Sequence, residues 1–513
     1  MMENFINQIK ENKLPEHVYE LLTAETGKEN ITAMWLYRPE HQKAALLTVL
    51  CKDRLLLQRT FDYLFIGDTF EQDGLLISML DDSDMVQQCE DRYLFFSRYA
   101  RKEDQIYGHE KDYGRFNIVD SDLVSLKARY LKEEQLLMKY TEELIVDEQV
   151  GATLFYLKNI QHDVEFLEYI RFGKPFEDFA LAERLRQIEA LIPEVKQFFV
   201  KHNNHYYILR QIENEDIVEY MDEYQDHLRK IKEEMKKIVL QNMKAKQPKN
   251  TPLKPTVSHP FMKDPTIRKA LHPLLQTAYL EEVYFFHEIT AIKEKSQHHH
   301  YYLLALVSNE NRKEEKRIAE KINKELPRDM EFTIIYHTRL WIQENVYQSQ
   351  HFLKSLMNGD HKIYTNDFHA KIHWDDDDAY RCDDAFIYHR REKNIYKRHL
   401  KGVERNEKAA MVSIIASELN EYFVQILINR LYDSAGYLSE ISDVKVLWDL
   451  VLYADPRASQ LEDQLHKLSF DLIGYLSMHR KDKKPGLHLH QDEKKKIFCL
   501  LNHLKNPHTL PQP

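Results

Sequence analysis

Glycine is scarce in this chain, 12 in 513 residues, and proline reaches only 16. β-Sandwiches, propellers and glycine-rich doubly wound folds need many tight turns, so this shortage argues against them and for a helix-dominated architecture. Cysteine is rarer still. Cys51, Cys89, Cys382 and Cys499 stand far apart with no CxxC pair, which argues against a disulfide framework or zinc ribbon and for a reducing, cytoplasmic setting. Long apolar runs are missing too. Stretches such as AALLTVL and AAMVSIIA fall well short of a membrane helix, which needs roughly 18–20 residues. The start, MMENFINQIKENK, shows no apolar segment behind a basic end, so no signal peptide is expected. Excess positive charge is absent as well. A net charge of −11 disfavours a general nucleic-acid binder, whose affinity comes mostly from neutralising phosphates, while leaving room for a local basic surface.

What is present is enough to fold. Hydrophobic residues make up 43% and charged residues 30%, so the chain can bury real cores, and its length suggests two to four domains. Tyrosine (30) outnumbers phenylalanine (24), which points to cores with polar rims. The clearest boundary is residues 244 to 273, where Pro248, Pro252, Pro255, Pro260, Pro265 and Pro273 fall. Their spacing predicts an extended, semi-rigid linker in which no helix persists. A long charged helix is expected before it, over roughly 215 to 243.

Each side of that linker shows strand-like runs followed by a helical segment. The runs are ITAMWLY (31–37), AALLTVLC (44–51) and GLLISML (74–80), then EVYFFHEI (282–289), YYLLALV (301–307) and EFTIIYH (331–337). One offset of 257 aligns Leu46-Leu47 with Leu303-Leu304, Ile77 with Ile334, Phe95 with Phe352, and Ile106-Tyr107 with Ile363-Tyr364. The same offset sets GATLFYLKNI (151–160) against KAAMVSIIAS (408–417), and Phe166 against Phe423. An offset of half the chain length predicts a tandem duplication.

The C-terminal half is the more legible. VYFFHEI, YYLLALV, the charged helix NRKEEKRIAEKINKELP, EFTIIYH, the helix RLWIQENVYQSQHFLKSLMNG and HKIYTND follow in turn, then AAMVSIIASELNEYFVQILINRL and SDVKVLWDLVLYADP. This order resembles bacterial proteins that fuse a minimal nucleotidyltransferase-fold domain to a helical HEPN domain. In that family the helix after the third strand leads to a short Gly-x-x-Leu/Ile-Tyr exit. Gly359 to Tyr364 is similar, with one extra residue before Ile363. The central HEPN helix begins with paired alanines, here Ala409-Ala410, and a later helix carries Leu-x-x-Leu, here Leu447 to Leu450. The resemblance spans roughly residues 270 to 480 and, more faintly, 30 to 200.

The resemblance implies catalytic residues that this sequence lacks. An active nucleotidyltransferase places Gly-Ser after the first strand to cradle a triphosphate, and Asp-x-Asp on the second to hold Mg²⁺. Here His287-Glu288 and the pair His300 and Tyr302 stand at those places, with Lys43 and Ala45 as the expected N-terminal equivalents of the second pair. A HEPN ribonuclease uses Arg and His separated by four to six residues. Arg101 to His109, Arg381 to His389, Arg391 to His399 and Arg480 to His488 each have seven residues between them, and no arginine meets the pattern. No catalytic residue is therefore assigned. GxGxxG, GxxxxGK[ST], HExxH and GxSxG are absent as well.

Other clusters have plainer readings. His298 and His300 share a strand face and could clamp a metal, but His298-His299-His300 reads more simply as a polar loop entering a strand. Trp374 is followed by Asp375, Asp376, Asp377 and Asp378, which could bind a cation but, lacking the spacing and glycine of a calcium loop, read more simply as an acidic helix N-terminus. His488 and His490 read as an exposed loop. No metal and no cofactor is expected. The segment 389–405 carries seven Lys and Arg residues beside Tyr388 and Tyr396. On a helix Arg390, Lys393, Lys397 and Lys401 form one stripe, widened by Arg391, Arg398 and Arg405. Arg390, Arg391, Lys397, Arg398, His399 and Lys401 are thus the candidate RNA or nucleotide contacts, against a plain solvated helix face balanced by the acids of 375–384.

The expected fold class is α+β, helix-dominated: two small nucleotidyltransferase-like mixed-sheet domains (1–118 and 274–370), each followed by a HEPN-like helical bundle (119–243 and 371–506), joined by the linker 244–273. The expected role is a non-catalytic cytoplasmic binding or interaction protein. Its partners would be RNA, nucleotide, another protein or itself through the helical bundles, with no membrane. The competing expectation is an RNA nuclease or nucleotidyltransferase with displaced active residues, in which Arg390, Arg391 and His399 would act and Asp375 to Asp378 would hold a metal.

Overall fold

The computed structural model describes residues 14–27, 30–38, 44–81, 95, 99–108, 121–147, 149–173, 175–176, 179–202, 205–213, 221–244, 259–293, 296–309, 311–374, 391, 394, 412–482 and 491–505. The chain divides into two units, Met1–Lys254 with Phe368–Lys371, and Pro255–Asp367 with Ile372–Pro513. Each combines helices with one four-stranded sheet of mixed pairing, and the first adds a two-stranded ribbon. No helix among the described residues is long and apolar enough to cross a membrane.

In the first unit, α1 (Glu16–Gly27) leads into β1 (Ile31–Tyr37) and β2 (Ala45–Cys51). A crossover through α2 (Arg54–Thr60) and α3 (Tyr63–Asp73) reaches β3 (Leu75–Asp81), and β4 (Gln105–Tyr107) completes the sheet in the order β3-β2-β1-β4. β2 is buried along its whole length because helices cover both sheet faces, so its sequence runs apolar rather than alternating. Met34, Leu47, Val49 and Ile77 pack with Val18 and Leu22 of α1. Ala33, Trp35, Ala44, Leu46, Leu76 and Leu80 pack on the opposite face, with the helical layer. That layer holds α4 (Ser121–Asp147), α5 (Gln149–Phe172), α6 (Leu181–Leu191), the ribbon β5 (Lys201–His202) and β6 (His205–Tyr206), α7 (Tyr207–Glu213) and α8 (Met221–Lys244).

In the second unit, α9 (Pro265–Leu275) precedes β7 (Leu280–Lys293) and β8 (Ser296–Val307). Then come α10 (Arg312–Glu325), β9 (Met330–Thr338), α11 (Arg339–Glu344), α12 (Val346–Leu356) and β10 (Lys362–Thr365), with sheet order β10-β7-β8-β9. The helical part is α13 (Val412–Ala435), α14 (Val444–Ala454), α15 (Glu462–His466), α16 (Leu472–Asp482) and α17 (Gln491–Lys505).

The two sheets share strand order, pairing sense and register. Met34 faces Val49 and Tyr107, as Val283 faces Ala305 and Tyr364. Leu47 lies beside Ile77 as Leu303 lies beside Ile334. Even the bulge recurs, between Ile31 and Ala33 and between Leu280 and Glu282. The helical parts match too: α5 and α13 are 24 residues each, α6 and α14 are 11 each. Pro193 and Pro456 then open 3-10 turns. Gly173 and Gly436 follow the long helices with φ of 76° and 62°, donating to the carbonyls of Tyr169 and Tyr432. These are left-handed helix caps that favour glycine.

The spacing is not one constant offset. Register makes Tyr302, not Leu303, the equivalent of Leu46, so β2 and β8 are 256 apart; β1 and β7 are 249 apart, and β3 and β9 are 257 apart. α5 and α13 are 263 apart, which pairs Phe166 with Asn429 rather than Phe423. Loops of unequal length cause the drift, chiefly a β7–β8 hairpin longer by seven residues. That longer hairpin also draws His298, His299 and His300 into β8, so the expected loop is strand. A second correction concerns residues 260–273, expected to be extended. Residues 265–275 form α9, because Pro265 sits where no N–H is needed, Asp264 caps Thr266 and Ile267, and Pro273 falls only in the last turn.

Candidate functional site

The second-strand positions that the resemblance singles out carry His300 and Tyr302, two apart and therefore on one face of β8. Their register partners on β9 are Glu331 and Thr333. α14 packs over this face and projects Asp449 into it. The Tyr302 hydroxyl donates to Asp449 Oδ2 and lies 3.2 Å from His300 Nδ1. His300 Nε2 lies 2.8 Å from the Thr333 hydroxyl, and His300 Nδ1 is 3.6 Å from Asp449. At the rim, Lys445 Nζ reaches Glu331 at 2.8 Å.

Proton counting orients this chain. Tyr302 has one hydroxyl proton and gives it to the Asp449 carboxylate, so it accepts from His300 Nδ1–H. In the Nδ1–H tautomer His300 accepts at Nε2 from Thr333. The result is a directed relay, Thr333 to His300 to Tyr302 to Asp449. Burial raises the Asp449 carboxyl to about 6, with Glu331 and Glu462 also raising it, against the Tyr302 hydrogen bond and Lys445. Burial likewise pushes the Tyr302 hydroxyl far above its ordinary range, helped by Asp449.

Two further polar groups occupy the same sheet. His337 is stacked on Trp341 at 4.0 Å and bonded to the Tyr437 hydroxyl at 2.9 Å. Burial lowers it to about 3, so it is neutral. Glu282 on β7 receives Arg339, Lys362 at 2.5 Å and the Tyr284 hydroxyl at 2.8 Å. Although burial opposes its charge, the two cations hold Glu282 at about 2. It is a buried, compensated anion.

In the first unit the equivalents are different. His300, Tyr302, Thr333 and His337 correspond by register to Ala44, Leu46, Leu76 and Leu80, all buried and apolar. The expected N-terminal pair, Lys43 and Ala45, is thereby corrected by one residue, and Lys43 lies outside the described residues. Asp449 corresponds to Arg186, which pairs with Glu71 at 2.7 Å.

Of the sequence candidates, Arg391 is exposed. Arg390, Lys397, Arg398, His399 and Lys401 lie outside the described residues, as do Asp375 to Asp378, His488 and His490. His299 is tied to Glu288 at 2.6 Å. Among the described residues no group of three or more His, Cys, Asp or Glu side chains is arranged to hold a metal ion. Sequence reading missed Asp449, Thr333, His337 and the Glu282 group. Asp449 had a signal: it is the single acid inside the otherwise apolar stretch VLWDLVLYA. No family model, curated protein or solved structure matches this chain.

Proposed function

We propose that this protein is a non-catalytic binding or interaction protein, built from two copies of a degenerate nucleotidyltransferase-like sheet followed by a HEPN-like helical bundle. The shared register, bulge and helix caps support a tandem duplication. The observation that carries the non-catalytic reading is what stands at the second-strand positions. A nucleotidyltransferase needs free carboxylates there to hold Mg²⁺. One copy has Ala44 and Leu46; the other has His300 and Tyr302, engaged with Thr333 and Asp449. Ligands of this reading are RNA or a nucleotide at the basic segment 389–405, and protein partners or a second copy at the helical bundles. Cytoplasmic location follows from the cysteine pattern.

The second reading is an enzyme with displaced residues. The oriented Thr333–His300–Tyr302–Asp449 chain favours it, since a hydroxyl facing an imidazole backed by a carboxylate is the arrangement of general-base activation. The two readings separate in one experiment. Purified full-length protein is incubated with end-labelled RNA, and separately with labelled ATP and Mg²⁺. The non-catalytic reading expects retention of RNA or nucleotide on the protein with no cleavage and no label transfer. Turnover that disappears in His300→Gln or in His399→Ala would sink it.

A further inference from the structure

We propose that the contact between the sheet and α14 in the second unit is a proton-tightened clasp, firmer in acid than at neutral pH, with Asp449 as the group that takes up the proton. The placement carries this. Asp449 lies on the buried side of an apolar helix and bonds to a different element through Tyr302. Its charged and titratable neighbours are Tyr302 and His300 on β8, Glu331 on β9, Lys445 on its own helix and Glu462 on α15. The one cation among them that is charged at every working pH, Lys445, is committed at the rim to Glu331. An ionised Asp449 is therefore held mainly by one hydroxyl, with His300 Nδ1 3.6 Å away and two other carboxylates in range.

The sign follows from the difference between docked and undocked states. Docked, the Asp449 carboxyl sits at about 6; undocked and hydrated, it returns to about 4. Protonation thus favours docking. The gain is complete below pH of about 4 and is lost as pH rises through about 6. Between pH 7 and pH 5 the docking equilibrium should strengthen roughly tenfold. In the first unit Arg186 and Leu46 stand at the equivalent positions, so this particular contact is not repeated there.

Hydrogen–deuterium exchange of the full-length protein tests this, measured from pH 5 to 7.5 and corrected for intrinsic exchange rates. Wild-type α14 should open about tenfold less at pH 5 than at pH 7. Asp449→Asn should flatten the α14 profile, and His300→Gln should keep it. A level wild-type profile overturns the clasp. So does a profile that survives Asp449→Asn or vanishes in His300→Gln, because either moves the proton to another group. No ligand or turnover enters the readout, so the outcome is independent of the function proposed above.

Discussion

The two units keep one backbone plan but exchange polar and apolar side chains at particular equivalent positions. In the second unit four positions of the sheet face beneath the helices are His300, Tyr302, Thr333 and His337, while Ile426, Leu431 and Leu447 stand in the helical core beside the buried pair Arg430–Asp455. In the first those four positions are Ala44, Leu46, Leu76 and Leu80, with polar Thr48 and Ser78 elsewhere on the face, and charge sits at the three helical positions. Glu168 and Arg184, the equivalents of Leu431 and Leu447, form a two-pronged ion pair at 3.0 and 2.6 Å. Asp163, the equivalent of Ile426, takes Lys232 at 2.7 Å and the Tyr130 hydroxyl at 2.7 Å. Backbone register and capping thus tolerate either an apolar or an ionic filling at one position, provided each buried charge is compensated.

The largest break in this comparison is Glu168→Leu. It leaves Arg184 with Glu165 at 3.5 Å in place of the two-pronged pair, removes the acceptor of Phe176 N–H, and should cost about 3–5 kcal/mol in denaturant-induced unfolding. Glu168→Leu with Arg184→Leu copies the second unit and should return stability to wild type or exceed it by about 1–4 kcal/mol. If the double variant is as unstable as the single, the two helical cores are not interchangeable at this site. Next is Tyr302→Phe, which leaves Asp449 and His300 short of a partner. A loss of about 1–3 kcal/mol is expected. The loss should be larger at pH 8 than at pH 5, because the ionised carboxylate needs the donor more; equal losses would mean that Asp449 does not titrate in this range.

The smallest effect sharpens the match between helix ends. Gly173→Ala and Gly436→Ala each force alanine into a left-handed conformation, costing about 1–2 kcal/mol. The first should cost more, because its new Cβ would lie 2.9 Å from Phe95 against 3.1 Å from His351. Calorimetry of the two variants reads the order; a reversed order would show that the loop at Gly173 yields more easily than its packing implies.

Much of this fold was legible in the sequence. The strand-like runs fall on β1 to β3 and β7 to β9 within a few residues, because β-branched and aromatic runs between polar segments have few other uses. The repeat was legible as well, but not its register. Leu46-Leu47 and Leu303-Leu304 match as letters one residue away from where they match in space. The structural partner of Leu46 is Tyr302, a pairing that letter identity cannot reveal. Helices α5 and α13 drifted for the same reason, since loop lengths are free to vary where strand pairing is not. The site was half legible. His300 and Tyr302 stood out by position, whereas Thr333 is an ordinary strand residue until its neighbour across the ladder is known.

The matched registers have a consequence during folding. As far as backbone hydrogen bonds go, β4 and β10 are interchangeable strands, each carrying Ile-Tyr and each suited to either first strand. A chain with two such sheets invites the wrong fourth strand to insert while both halves are still forming. Lys362 supplies the discrimination. Beside β7 it meets Glu282; beside β1 it would meet Trp35 and Ala33, with no carboxylate at the position of Glu282. Gln105 carries no charge to place. The pair between buried Glu282 and partly exposed Lys362 therefore works as an address that favours β10 beside β7.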